Sequence, residues 1–252
     1  MLGLRDQKNL AHLYSQRSTA YENLRDLDNA VLESALFMWM AVALVMVFYY
    51  APIEKSQGIV QKIFYFHVPL AWNAFLGFLI VFIASFRYLA TRDPKWDARA
   101  VAAAEVGVLF TTLVLITGPI WAKPTWGIWW TWDARLTLTF VLWLIYLGYL
   151  MLRRYVDSPE RRAVLSAIVG IVGFIDVPLV YFAIRWWRTQ HPQPVMMGGE
   201  DSGLDPKMRT TLMVCSATFL LLYTVMFRRR VAVERMKMLV DDLREQAEGA
   251  RS

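Results

Sequence analysis

The residues that could do chemistry in this 252-residue chain are few and unevenly placed. Four of its eleven tryptophans, Trp126, Trp129, Trp130 and Trp132, fall within seven residues, with Trp121 just ahead and Asp133 and Arg135 directly behind. There are three histidines, His12, His67 and His191, and a single cysteine, Cys215, inside an apolar run. One cysteine excludes a C-x-x-C redox pair, a thiolate zinc site and a haem-attachment C-x-x-C-H within the chain. No Walker A pattern occurs, so any nucleotide hydrolysis must come from a partner. Indoles are bulky and each carries an N–H that wants an acceptor, so such a cluster makes poor ordinary core. It reads either as an aromatic belt at a membrane–water interface or as a platform for a flat apolar ligand. Four rings in one short connection, ended by an acid, favour the platform.

The elements that must position these residues are membrane helices. The chain is 57% hydrophobic and 14% aromatic, beyond an ordinary soluble domain. Its apolar runs approach the roughly 20 residues that cross the hydrocarbon core as helix. Spans are predicted over 32–51, 68–88, 101–121, 136–152, 164–184 and 210–227. The fold class is therefore an all-α polytopic membrane protein, six transmembrane helices with a Trp-rich external loop (segment 121–137) between helices 3 and 4. Pro52 should end the first span, and Gly118-Pro119 should break the third near its far end. The half-apolar stretch 59–64 predicts a helix lying in the interface. Residues 1–31 and 228–252 are expected to be cytosolic tails around a 32–227 membrane domain. The polar start shows no cleaved signal peptide. In the second tail Ala232, Met236, Leu239 and Leu243 share one helical face, as a docking helix or as a continuation of span six.

Charge sets the orientation. The formal net charge is +6, but the basic residues flank spans instead of lining an aromatic-interleaved groove, so nucleic acid is not the partner. Segments on the side of the termini carry about twice as many Lys and Arg near span ends as the opposite set. Both termini are thus expected in the cytosol, with the tryptophans, His67 and His191 outside and His12, a solvated surface residue, inside.

Two imidazoles without a Cys or carboxylate cluster make a poor zinc site, since zinc takes four protein ligands or three plus water. Haem iron suits them better, because the porphyrin fills four positions and leaves two axial ones. A haem also needs apolar walls, which indoles supply, and donors for its propionates, for which Lys123, Arg135, Arg185 and Arg188 are candidates. Met196 and Met197 are poorer axial candidates, being in a Gly-rich segment. Asp133 is expected to cap span four or to pair with Arg135 or Lys123. Two acids fall within spans: Glu105, shallow enough to snorkel, and Asp176, placed to bond groups freed at Pro178 or to serve a proton or substrate path.

The run Trp126-Gly127-Ile128-Trp129-Trp130-Thr131-Trp132-Asp133-Ala134-Arg135-Leu136-Thr137 resembles the tryptophan-rich WWD signature of membrane haem-handling proteins. Together with Tyr65-Phe66-His67-Val68-Pro69 and Trp186-Trp187-Arg188-Thr189-Gln190-His191, it is most similar to the haem-exporter protein C type of the cytochrome c maturation system. The similarity is strong over 51–191 and weak in the tails. It implies haem b held at the outer face of a bacterial inner membrane, with His67 and His191 as axial ligands. Trp121, Trp126, Trp129, Trp130, Trp132, Asp133 and Arg135 would form the surrounding site. It implies delivery of haem to a membrane-anchored periplasmic haem chaperone, a small single-span helper subunit, and the membrane and ATPase subunits of an ABC transporter. The chain itself would handle haem in contact with membrane lipid, assisting attachment to the chaperone without being an enzyme. Two alternatives stand beside this one. A cytochrome c synthetase of the same superfamily should be larger, and a small-solute permease with an aromatic gate should show internal repeats, which are not evident.

Overall fold

The computed structural model describes residues 30–187, 189, 191 and 204–249. The expectations for His12, Arg188, Met196 and Met197 lie outside these residues, as does nearly all of the 1–31 tail. Among the described residues, six helical stretches are long and apolar enough to cross a membrane. Helix α1 (Ala30–Tyr50) closes in a π-turn, Met46–Tyr50. A 3-10 turn (Ile59–Ile63) runs straight into α2 (Phe64–Thr91), followed by α3 (Pro94–Trp126) and α4 (Ala134–Tyr155). The fifth crossing is divided into α5 (Pro159–Phe174) and α6 (Asp176–Trp186), and α7 covers Pro206–Gly249.

Several expectations change. Gly118-Pro119 does not break α3, which continues through Pro119 and Pro124 to Trp126. Each proline forfeits one backbone hydrogen bond, a loss that membrane helices tolerate where neighbouring helices and Thr hydroxyls re-satisfy the backbone. The helix stops at Gly127, whose φ of 78° is the left-handed conformation that glycine adopts without strain; its N–H reaches Lys123 O at 2.9 Å. Trp121 and Trp126 are therefore helical, and the connection proper is only 127–133.

The stretch 59–64 folds as a short 3-10 helix, Ile59–Ile63, that leads directly into α2. Gln61 and Lys62 are buried, and Lys62 Nζ donates to Val47 O and, at 3.3 Å, to Phe48 O in the π-turn of α1. The π-turn shifts those carbonyls out of the usual ladder, so a lysine can bond them. In span five, Pro178 has no N–H for the Phe174 carbonyl, and Ile175 N–H turns to Val172 O, at 3.1 Å, and Gly173 O. The helix parts there. Asp176 does not bond the freed groups; its Oδ2 is buried with no partner among the described residues. Beyond residue 227 the last span simply continues as helix, with Met236 exposed.

One end of the bundle is tied by ion pairs. Arg153 of α4 makes a two-pronged contact with Asp97 of α3 at 2.6 and 2.7 Å. Arg230 of α7 pairs with Glu105 of α3, so Glu105 is held by a neighbouring helix instead of snorkelling alone. Arg229 pairs with Glu33 of α1. Between the ends, α2 and α3 pack through small residues, as membrane helices do. A Cβ added at Gly107 would lie 2.8 Å from Phe78 Cε1, and Phe78 is fully buried and stacked 3.9 Å from Tyr146. Gly107→Val is expected to destabilise the bundle by about 1–3 kcal/mol, read as a lower unfolding midpoint in detergent.

Candidate functional site

A cavity opens at the end of the bundle opposite the ion pairs, walled by α2, α3, the start of α4 and the 127–133 connection. His67, His191, Trp121, Trp126, Trp129, Trp130, Asp133 and Arg135 all border it. Trp132 does not. Its ring is 74% exposed and leans edge-on against Trp130 and Phe140 on the outer side of the connection. The four clustered indoles are thus not one wall.

His67 lies in the first turns of α2 and is buried. Its Nδ1 sits 2.8 Å from Thr117 Oγ1, a hydroxyl that has Leu113 O within donating distance, also at 2.8 Å. With the hydroxyl turned to Leu113 O, Nδ1 donates to it and Nε2 keeps a bare lone pair, the form in which imidazole binds a metal. Trp121 flanks the ring edge-on at 5.8 Å, and a Cβ at Gly118 would touch its Cε1 at 3.4 Å. Trp121 is fixed in turn, its Nε1 donating to Gln57 Oε1 at 2.8 Å. Gln57 belongs to a turn built on Glu54, whose Oε2 accepts from Ser56 Oγ, Ser56 N and Gln57 N. The Ser56 hydroxyl first, and then the Gln57 amide, hold the Glu54 carboxyl below its ordinary range. Its folded value being the lower one, this ordering is complete at neutral pH and is lost as pH falls through that value.

Thr117 had no place among the residues singled out by type. The signal was its spacing, four before Trp121 and so on the same helical face. Thr117→Val is expected to weaken metal-centre ligand binding about 10–100-fold while Thr117→Ser retains it, as measured by titration of the purified protein.

In the chain after α6, His191 N donates to Thr189 Oγ1 at 3.0 Å, which closes a tight turn. Asp133 is the N-cap of α4: Oδ1 accepts from Arg135 N at 3.0 Å and Leu136 N at 3.1 Å, and Oδ2 from Thr131 Oγ1 at 2.8 Å. It fixes the connection, leaving Arg135 to the cavity. Lys123 is exposed and donates to Gly127 O, and Arg185 is exposed. Among the candidate cations that are described, Arg135 alone lines the cavity, and its Nη1 is buried without a partner. Trp130 Nε1 is likewise buried and unpaired. Buried donors of this kind are costly unless something accepts from them. Among the described residues no group of three His, Cys, Asp or Glu could hold a bare metal ion. The donor set instead fits a metal that brings its own equatorial ligands and carboxylates.

The sequence model of the family described as heme exporter protein C matches residues 11–246. The chain belongs to that family. Heme exporter protein C of Bradyrhizobium diazoefficiens is 40% identical over 195 residues, 77% of this chain and 73% of the relative. Heme exporter protein C of Escherichia coli K12 is 33% identical over 192 residues, covering 73% and 77%. That of Haemophilus influenzae is 31% identical over 226 residues, covering 90% and 92%. This heme exporter protein C-type chain is a multi-pass membrane protein, and its Trp-rich loop lies between α3 and α4.

Proposed function

We propose that the chain binds haem b in the cavity beneath the 126–132 connection, at the periplasmic face of a bacterial inner membrane. There it presents the haem to a membrane-anchored haem chaperone for c-type cytochrome biogenesis. One observation carries this: His67, held at Nδ1 by Thr117 Oγ1, borders the same cavity as His191 and Arg135, whose Nη1 has no partner among the described residues. His67 and His191 supply the two axial bonds to iron. Arg135 and the Trp130 N–H take the propionate end, and Trp126 and Trp129 cover the macrocycle face. Haem is the cargo, and its covalent chemistry with the chaperone belongs to those two partners. This chain holds and orients it and excludes water.

The periplasmic placement rests on the excess of Lys and Arg at the opposite end, including Arg153, Arg154, Arg161, Arg162, Arg228, Arg229 and Arg230. A single-span helper and the membrane and ATPase subunits of an ABC transporter are the further partners that membership of this family suggests. The test is a pyridine haemochrome assay on the protein purified from membranes of haem-replete cells. Stoichiometric non-covalent haem b is the expected result, and a haem-free protein that also fails to take up added haemin refutes the proposal.

A further inference from the structure

Behind the haem cavity lies a second cleft, bordered by Leu115, Ile116, Trp130, Trp132, Phe140 and Trp143. Leu115 and Trp130 line both spaces, so one leucine and one indole form the partition between them. The cleft faces outward between α3 and α4, where Ile116 is 50% exposed. Its depth follows from helix geometry. Phe140 and Trp143 come six and nine residues after the first residue of α4, Ala134, which puts them about 9–14 Å along it at 1.5 Å per residue. Half of a hydrocarbon core is about 15 Å thick, so the cleft opens among acyl chains of the leaflet that carries the Trp-rich connection.

We infer that this cleft is a lateral entrance through which haem passes from the bilayer into the His67–His191 cavity, with Trp130 as the movable partition. The inference presupposes haem as the cavity's ligand. Three observations select haem over an acyl chain as the occupant. Phe140 and Trp143 stack at 5.8 Å and 24°, which gives the cleft a flat aromatic wall. Trp143 is pinned, its Nε1 donating to Thr112 Oγ1 at 2.8 Å, whereas Trp130 Nε1 has no acceptor among the described residues. Swinging the Trp130 ring therefore breaks no hydrogen bond, and moving Trp143 would. Finally, Arg135 is the second residue of α4, at headgroup level, above the deeper aromatic wall. A macrocycle sliding in with its ring among acyl chains and its propionates toward the headgroups meets apolar rings below and a cation above.

The experiment compares two haem sources for the full chain. In one, protein in nanodiscs takes haem from donor liposomes; in the other, protein in amphipol, with no bilayer, takes haem from albumin. Ile116 itself does not line the haem cavity, and Ile116→Trp fills the outer cleft. It is expected to slow loading from the bilayer about tenfold, within the range over which association rates of related variants differ. Loading from albumin and the final His67-dependent spectrum should be unchanged. Equal rates from the bilayer, or equal slowing from both sources, overturn the entrance. Should Ile116→Trp fail to fold, Ile116→Cys in a Cys215→Ser background carries a fluorophore at the same place. Transient quenching before the final spectrum appears supports the route, and its absence, as for a groove holding only lipid, overturns it. If the unmodified chain gains no His67-dependent spectrum from either source, the haem assignment fails and the entrance falls with it. If it does gain one and Ile116→Trp loads normally, only the entrance falls.

Discussion

His67→Ala is expected to convert a low-spin, doubly imidazole-ligated haem spectrum into a high-spin one and to weaken haem retention by about two orders of magnitude, the scale of losing a central anchor. His191→Ala should do the same in kind, and His12→Ala should leave the spectrum untouched. The asymmetry between the two active positions comes from their settings. His67 is buried and fixed by Thr117, Gly118 and Trp121, so its removal leaves a shaped hole. Added imidazole should refill that hole and restore the low-spin spectrum of His67→Ala. His191 sits on a connection held by Thr189 and is partly exposed. Imidazole rescue there should need more imidazole. An unchanged spectrum in both single variants would refute the ligation.

Arg135→Gln should act in opposite directions on the empty and the loaded protein. Without haem, Arg135 is a half-buried guanidinium whose enclosed Nη1 finds no partner among the described residues, and such a charge destabilises the fold. Replacing it with a neutral amide of similar reach should raise the unfolding midpoint of the haem-free protein. With haem bound, the same change removes a charge-assisted hydrogen bond to a propionate, worth about 1.5–3 kcal/mol, or roughly 10–150-fold in affinity. A merely structural arginine would lower both. Parallel melting curves of haem-free and haem-loaded protein separate the cases, and a lower midpoint for the haem-free variant would show that the cavity does not hold the guanidinium at a cost.

Much of this was written in residue types. Apolar length alone marks the six crossings, because the hydrocarbon thickness sets it. The indole cluster and the two outer histidines stand out for the same reason, since neither type is what a lipid-facing helix needs. What the sequence hid depends on neighbours. Gly118-Pro119 looks like a break until α3 is seen to run on to Trp126. Lys62 looks like the polar side of an interfacial helix until the π-turn of α1 supplies carbonyls for it. Glu105 and Arg230, 125 positions apart, become partners only through helix packing. Trp132 carries the same signature as Trp130 but turns outward, a distinction made by the capped turn at Asp133 and not by composition. Thr117 is one of many threonines in apolar helix; only its contact with His67 sets it apart.

The unbroken course of α7 has a mechanical consequence. Its 44 residues form a rod about 66 Å long, more than twice the hydrocarbon thickness of about 30 Å. At one tip Met208 and Leu212 pack in the same cluster as Trp121 and Phe64, next to His67. The Arg230–Glu105 clamp sits part-way along, like a fulcrum. With no hinge in between, force applied by a neighbouring subunit to the protruding tip is levered back to the indole that steadies the imidazole.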